Sequence, residues 1–225
     1  MYAGRVAFTG LPERRDHLFA AFGQCHVDQV ADNDAGHVPQ THLIWMLIQW
    51  RIRLLAPAAW NENVTVRTWP RTMERVTSDR DFEIIGEDGR RIAIGTSSWV
   101  LVSSETGRIV RIPKEVSEAY ALTPCCVFDD CAPEVSRGKG SVTYACVVQH
   151  RDIDTNRHVN NRVYLQYADE ALGGISSQFS EVLVRYKRQL LLGEKVQCFV
   201  LERENRHSVE ICTEDGVTCA AVVYK

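Results

Sequence analysis

The feature that most constrains the fold is an internal repeat. The segment Glu83–Gly89, which reads EIIGEDG, recurs 127 residues further along the chain as Glu210–Gly216, EICTEDG. Both copies lie between two apolar runs, and an Asp-Gly pair in that setting is a strong signal for a β-hairpin. Two more matched segments precede each hairpin in the same order, at offsets of 132 residues: Trp60–Val64 with Leu192–Val196, and Ile52–Leu54 with Val184–Tyr186. The chain is therefore predicted to contain two copies of one structural unit.

Each copy is predicted to combine one helix with several long antiparallel strands. In copy one we expect a helix within Val6–Asp28 and strands near 44–55, 63–71, 78–86 and 91–103. In copy two we expect a strand near 142–149, a helix over 160–172, and strands near 181–188, 195–203, 207–213 and 217–224. One helix per sheet, with the strands gathered after it, predicts an α+β fold rather than a doubly wound parallel sheet.

The stretch between the copies, residues 113–140, contains three prolines and the sequence Gly138-Lys139-Gly140. Such a composition is typical of a linker, and we expect one helical turn within it.

Composition restricts the class of protein. With 225 residues, 45% of them hydrophobic and 24% charged, the chain is typical of a globular protein with a substantial core. Its formal net charge of −3 gives no general attraction to nucleic acid or anionic lipid, so neither is expected as a partner. No apolar run approaches the roughly 20 residues of a membrane span, and charged residues interrupt the N-terminus too early for a secretion signal.

The eight cysteines are scattered along the chain without a Cys-x-x-Cys pair. Four of them lie inside apolar strand-like runs, where a free thiol behaves as a small hydrophobe. Cys125, Cys126 and Cys131 cluster in a loop, but no matching pair follows at zinc-ribbon spacing. We therefore expect free thiols, no metal site, and a location in the reducing cytoplasm.

Polar side chains alternate in the segment Asp152–Asn161, which reads DIDTNRHVNN. Asp154, Asn156 and His158 occupy every second position just before the second predicted helix. Alternate residues of an extended segment point to the same side, so this run is expected to aim a carboxylate, a carboxamide and an imidazole into one pocket. Such a set suits acid–base chemistry, because histidine side chains titrate near neutral pH.

Other interpretations apply to the same residues. Asp-x-Asp-x-Asn opens a calcium-binding loop, but its sixth position is Arg157 rather than Gly and its twelfth is Val163 rather than Glu, which excludes that site. A metal site built on Asp154 and His158 lacks a third ligand. The simplest alternative makes Asp154 or Asn156 a turn or capping residue and His158 an ordinary polar residue, and spacing alone favours neither this alternative nor a functional site.

The run Asp154-x-Asn156-x-His158-Val159-Asn160-Asn161-x-x-Tyr164 resembles the signature of the acyl-ACP thioesterase family. The first copy resembles the same family in three segments, Val64–Arg71, Arg80–Ile84 and Ser97–Val102, so the likeness covers nearly the whole chain. The resemblance implies hydrolysis of fatty acyl-acyl carrier protein to free fatty acid, in fatty acid biosynthesis, without a cofactor.

The resemblance also implies the architecture. The expected fold is a tandem (double) hot-dog, two long antiparallel sheets each wrapped around a helix, as a monomeric pseudo-dimer or a homodimer. The two repeats are expected at 1–112 and 141–225, on either side of the linker 113–140. Because Gly4-Arg5-Val6 resembles the start of the family's first helix, the first repeat is predicted to lack its first strand.

The resemblance assigns roles to four residues. His158 is the expected general base, Asp154 fixes its tautomer or shares the base function, and Asn156 donates its amide to the thioester carbonyl. Plant members of the family carry a catalytic Glu followed by Cys in the strand after the second helix, where this chain has Gln189 and Leu190. A carboxamide cannot accept a proton as a base, so Gln189 is expected to position the water, and no nucleophilic cysteine is expected.

Basic residues surround this motif in the sequence. A charged run is often only a solvated face, but it can also form a landing surface for an acidic carrier protein and its phosphopantetheine phosphate, with Arg185, Lys187 and Arg188 as candidates. Other functions stay open: an acyl-CoA thioesterase, or, from another class, a non-catalytic acyl-thioester-binding hot-dog protein or a hot-dog dehydratase. The Asp-x-Asn-x-His run speaks against the dehydratase, and Gln189 is the one feature that favours the non-catalytic protein.

Overall fold

The computed structural model of the chain describes residues 2–7, 42–59, 61–135, 140–154 and 156–225, with the backbone alone for residues 2–7. The chain divides into two compact units, Met1–Cys131 and Ala132–Lys225. The division lies inside the predicted linker. None of the helices in the described ranges has the length and apolar character needed to cross a membrane.

The first unit is built on an antiparallel sheet. Its elements are β1 (Tyr2–Ala7), β2 (Leu43–Leu54), β3 (Asn63–Met73), β4 (Thr77–Ile85), β5 (Arg91–Ser103), the short β6 (Ile109–Val110) and the one-turn helix α1 (Lys114–Glu118). The strand order is β1-β3-β4-β5-β2, and β6 pairs with the end of β5. The four predicted strands of copy one and the helical turn in the linker are confirmed.

The second unit repeats the plan. Its elements are β7 (Ser141–Val147), α2 (Asn161–Ala171), β8 (Glu181–Tyr186), β9 (Lys195–Arg203), β10 (Arg206–Thr213) and β11 (Thr218–Tyr224), with short 3-10 turns at His150–Asp152 and Ile175–Gln178. The strand order is β7-β9-β10-β11-β8, and α2 packs on the face of β7, β9, β10 and β11. The helix turns Val163, Tyr164, Leu165, Tyr167, Ala168 and Ala171 into the core. Every predicted element of copy two is present.

The two sheets have one topology, which confirms the internal repeat. Reading each unit from its first strand, β1 to β5 correspond in order to β7 to β11. The repeated Asp-Gly pairs form the β4–β5 and β10–β11 connections, where Gly89 and Gly216 both have φ of +83°. That backbone conformation favours glycine, so both hairpins require the residue that the sequence repeats.

The predicted absence of the first strand is wrong. Residues Tyr2–Ala7 form β1, which pairs antiparallel with β3 from Tyr2 opposite Thr68 to Ala7 opposite Asn63. The six residues have little alternating pattern of their own. They form a strand because the long strand β3 supplies their hydrogen bonds. The rest of the predicted helix within Val6–Asp28 lies outside the described residues.

The middle of the linker is fastened to the first unit. The indole nitrogen of Trp69 donates to the carbonyl oxygen of Cys125 at 2.9 Å, and the buried Arg51 donates to the carbonyl of Asp130 at 2.9 Å and to its carboxylate at 2.8 Å. Residues 123–130 therefore form a strap over the sheet rather than a free connection.

Candidate functional site

The predicted polar run folds into a tight turn. Ile153 and Val159 form an antiparallel bridge, and within it the amide of Asp154 donates to the carbonyl of His158 at 2.9 Å. The amide of Arg157 donates to the carbonyl of Asp154 at 3.0 Å, and Arg157 has φ of +64°. The expectation of an extended segment is therefore wrong, because a left-handed residue reverses the chain. All three predicted polar residues lie in this turn.

Asp154 shapes this turn with its own carboxylate. Its Oδ1 accepts the backbone N–H of Asn156 at 2.8 Å and that of His158 at 3.4 Å. This is the turn role that the sequence left open for Asp154, since aspartate oxygens commonly bond backbone amides two residues ahead. Within the described part of the chain both of these hydrogen bonds end on Oδ1 and none ends on Oδ2.

The three predicted side chains differ in exposure. Asn156 is exposed, whereas Asp154 and His158 are half-buried. The next residue, Val159, is 3% exposed and anchors the turn to the protein. Its amide donates to the carbonyl of Leu190 at 2.9 Å. His158 thus lies one residue before a buried anchor, and part of its surface is exposed.

A buried carboxylate that sequence reasoning missed supports the base of the turn. Asp152 is 9% exposed, and its Oδ2 accepts the backbone N–H of Gln149 at 2.8 Å and the hydroxyl of Tyr167 at 2.9 Å. Its carbonyl accepts the amide of Asn160 at 2.8 Å. Burial is the largest cause that raises the pKa of Tyr167, so this hydroxyl stays protonated and donates. The helical spacing of Tyr167 indicated a buried position, but no local signal pairs it with Asp152.

The turn leads directly into the N-terminus of α2. Asn160 caps the helix, and its Oδ1 accepts the amide of Arg162 at 2.9 Å. The first amides of a helix lack partners within the helix and carry a partial positive charge. The polar side chains of the turn therefore lie in sequence immediately before a set of backbone donors that favours negative charge.

Gln189 lies in the segment 187–191, between β8 and β9, and it is exposed. The neighbouring Leu190 is buried, and its carbonyl is the acceptor for Val159. His158 and Gln189 are thus each one residue away from the same hydrogen bond. One backbone hydrogen bond therefore joins this segment to the polar turn, and the role of the Gln189 side chain stays a prediction.

The three predicted carrier-binding cations are not equivalent. Arg188 bonds Glu194 at 2.5 Å, with the two side chains 40% and 24% exposed, and this hydrogen bond raises the pKa of Arg188 above its usual value. Glu194 in turn accepts the amide of Leu191 at 2.8 Å, so the ion pair closes the loop before β9. Arg185 and Lys187 are exposed. Arg188 therefore helps to hold this loop in place. Lys187 is the better candidate for a contact with an acidic partner, because it is exposed and takes no part in that ion pair.

An open depression in the first unit contains none of these residues. Its volume is about 550 Å³. Its lining consists of Met73, Glu74, Arg75, Arg111, Ile112, Pro113, Lys114 and Ser117. Within the ranges that the structure describes, no three His, Cys, Asp or Glu side chains are grouped as metal ligands.

Comparison with known proteins identifies the family. Residues 16–120 match the family model described as the acyl-ACP thioesterase N-terminal domain, and residues 137–222 match that of the C-terminal domain. The chain belongs to the acyl-ACP thioesterase family. The polar turn, α2 and the segment 187–191 all lie within the C-terminal match.

Relatives from plants are distant and longer. An oleoyl-acyl carrier protein thioesterase of Arabidopsis thaliana is 26% identical over 143 residues, 58% of this chain and 39% of the relative. A Coriandrum sativum oleoyl-acyl carrier protein thioesterase is 26% identical over 182 residues, 73% of this chain and 49% of the relative. The chain spans half or less of the length of these relatives.

Solved structures share the fold over the full chain. An acyl-ACP thioesterase from Bacteroides thetaiotaomicron has a TM-score of 0.85 at 19% identity, covering 99% of this chain and 96% of that one. The 12:0-ACP thioesterase from Umbellularia californica has a TM-score of 0.85 at 16% identity, with the same coverage. The predicted tandem hot-dog fold is confirmed.

Proposed function

We propose that this protein hydrolyses the thioester of fatty acyl-acyl carrier protein and releases free fatty acid in fatty acid biosynthesis. The observation that carries the proposal is the polar turn Asp154–His158 at the N-terminus of α2, in a chain of the acyl-ACP thioesterase family. Water attacks the thioester carbonyl carbon, the C–S bond breaks, and the thiol of the carrier leaves with a proton. The reaction needs a base, a donor for the oxyanion and a positioned water.

His158 is the proposed base. It is half-buried in a turn whose backbone is fixed by hydrogen bonds, so the backbone that carries the imidazole is in place before substrate binds. It takes a proton from the attacking water and returns it to the leaving thiol. Asn156, which is exposed, donates its side-chain amide to the thioester oxygen, and the first amides of α2 add to the stabilisation of the oxyanion.

Asp154 and Gln189 complete the proposed catalytic set. One oxygen of Asp154 is committed to the turn, so its other oxygen is the one that orients His158 or shares the base function. Gln189 holds the water through its carboxamide, which donates and accepts hydrogen bonds but takes no proton. No cysteine is needed as a nucleophile, and the residue after Gln189 is the buried Leu190.

The proposed carrier surface consists of Arg185 and Lys187. Arg188 is a weaker contributor, because Glu194 partly neutralises its charge. An acidic carrier protein and its phosphopantetheine phosphate suit such a surface. The proposed compartment is the cytoplasm, which the free thiols of the seven described cysteines support.

The direct test is free-thiol release from purified acyl-ACPs and acyl-CoAs of graded chain length. We expect turnover on acyl-ACP, with acyl-CoA a poorer substrate. His158→Ala should lower kcat by about 100-fold or more, the scale of losing a positioned base. His150→Ala, which removes an exposed histidine from the neighbouring 3-10 turn, is the matched control and should keep wild-type kcat. Equal turnover of the two variants would exclude the assigned base.

Two substitutions separate the functions of Asp154. Asp154→Asn keeps an oxygen for the amides of Asn156 and His158 but removes the negative charge, whereas Asp154→Ala removes both. If Asp154 orients the imidazole or shares the base function, both variants should lose about 100-fold in kcat. If it only shapes the turn, Asp154→Asn should remain active.

Carrier recognition is tested by charge reversal at matched lysines. Lys187→Glu should lower kcat/KM on acyl-ACP at low salt but leave a short acyl-pantetheine unaffected, because exposed charges steer association. Lys195→Glu makes the same charge change at an exposed lysine of β9 that bonds Glu214 at 3.0 Å. Equal losses for the two variants, or equal losses on both substrates, would remove the case for docking at Lys187.

A further inference from the structure

Gln189 lies in a segment without regular secondary structure, between the end of β8 and the start of β9. Such a segment has no ladder of sheet hydrogen bonds, so its position depends on individual bonds. Two of these hydrogen bonds involve the residues on either side of Gln189, and both are made with the hydroxyl group of Tyr164. The amide of Leu190 donates to that oxygen at 2.9 Å, and the hydroxyl lies 3.4 Å from the carbonyl of Arg188, to which it donates.

The Tyr164 ring is fixed on the helix side of this contact. Tyr164 is 2% exposed and lies in the first turn of α2. Tyr186 packs edge-on against it, with ring centroids 5.4 Å apart. Burial is the first cause that raises the pKa of Tyr164, so the hydroxyl stays neutral and acts as both donor and acceptor.

A continuous set of bonds joins this hydroxyl to the polar turn. Leu190, whose amide bonds Tyr164, uses its carbonyl to accept the amide of Val159 at 2.9 Å. Val159 follows His158 directly in the chain. Leu190 therefore links the backbone beside Gln189 to the backbone beside His158, and the Tyr164 hydroxyl accepts the amide of that same Leu190.

We propose that Tyr164 is a positioning residue for the hydrolysis, acting through Gln189. Its hydroxyl fixes residues 188–190 so that the Gln189 carboxamide holds the water at the correct distance from His158. The inference rests on the proposed thioesterase function and on Gln189 as the water-holding group. Small displacements of a positioning group produce large losses of rate, because the reacting atoms leave the attack geometry.

The test starts from Tyr164→Phe, which keeps the ring and removes the hydroxyl. We expect kcat on the best acyl-ACP to fall about 10-fold, with KM within about twofold, because the hydroxyl contacts no substrate. Tyr186→Phe is the matched control. Its hydroxyl donates to the carbonyl of Asn161 at 2.9 Å and not to residues 188–190, so its kcat should stay within about twofold of wild type.

A double-mutant cycle with Gln189→Ala provides the readout that a general structural defect would not reproduce. Gln189→Ala alone should also cost about 10-fold in kcat. If Tyr164 acts through Gln189, the double variant should lose about 10-fold, whereas independent effects would multiply to about 100-fold. A multiplicative result overturns the inference while the thioesterase function stands. A wild-type protein that releases no thiol from any acyl-ACP overturns both.

If Tyr164→Phe does not yield folded protein, 3,5-difluorotyrosine at position 164 supplies the same test. It keeps the ring and the hydroxyl but makes the oxygen a weaker acceptor for the Leu190 amide. The expected result is a lower kcat at an unchanged melting temperature in the wild-type background, and no further loss in the Gln189→Ala background. An equal loss in both backgrounds contradicts the inference.

Discussion

Asp152→Ala should destabilise the second unit, and the structure gives the size of the effect. The Asp152 carboxylate accepts two hydrogen bonds, from the amide of Gln149 and the hydroxyl of Tyr167, at a position only 9% exposed. Alanine leaves both donors without that acceptor. Tyr167 is buried, whereas Gln149 is exposed and its amide can bond water instead. A buried donor without an acceptor costs about 1–3 kcal/mol, so we expect a loss of about 2 kcal/mol in the free energy of unfolding, mainly from the tyrosine hydroxyl.

Two further variants divide that loss between the bonds. Tyr167→Phe removes one donor together with its need for an acceptor, and should cost about 1 kcal/mol. In the double variant only the Gln149 amide is left without a partner, so its loss should be smaller than the sum of the two single losses by about 1 kcal/mol. Asp152→Asn keeps one acceptor oxygen and should fall between wild type and Asp152→Ala.

The assay is urea unfolding followed by far-UV circular dichroism, supported by the melting temperature. For a chain of this length about 1 kcal/mol corresponds to about 2–4 °C in Tm. An Asp152→Ala protein with the wild-type urea midpoint and slope would show that the buried bonds at the base of the turn contribute nothing, and the reasoning would fail.

Three more predictions concern stability. Gly140→Ala should cost about 1–3 kcal/mol by urea unfolding, because an added Cβ meets the backbone carbonyl of Val200, which cannot move aside easily. Burial raises the pKa of Tyr144 to about 12, so the stabilisation from its neutral form is complete below about pH 10 and is lost as the pH rises toward 12. Tyr144→Phe should therefore lose less stability than wild type between pH 10 and pH 12. The Arg53 hydrogen bond lowers the pKa of Asp130 to about 2. Wild type should therefore be more stable than Asp130→Asn at pH 7, by less than about 1 kcal/mol because the pair is half-exposed. This difference should disappear as the pH falls from about 4 to 2.

The sheets are predictable from the sequence because their signals are local and repeated. Alternating apolar residues gave the strands of both copies to within a few residues, and the Asp-Gly pairs marked hairpins whose glycines need positive φ. Strand β1 has no such local signal in its sequence. It forms by pairing with β3, some sixty residues away in the chain, and a local pattern cannot indicate that pairing.

The residues of the candidate site remain a prediction from the sequence, and the local geometry around them was not predictable. The sequence indicated Asp154, Asn156 and His158 by type and spacing, yet spacing cannot show that Arg157 adopts a left-handed backbone and reverses the chain. Local hydrogen bonds close the turn, but the contacts that fasten it to the rest of the unit are tertiary. Tyr167 was assigned to the buried helix face from its spacing, but its bond to Asp152 joins residues fifteen positions apart.

The self-closed turn at Asp154–His158 also bears on the entropy of the reaction. Its backbone bonds form when the protein folds, so the loss of conformational freedom at these residues precedes substrate binding and does not weaken it. Because main-chain bonds and the buried Val159 fix the shape, side chains at the exposed position 156 can change while the backbone path stays the same. In the proposed mechanism position 156 faces the thioester carbonyl, so different donor and acceptor groups there would test how the reaction depends on this contact.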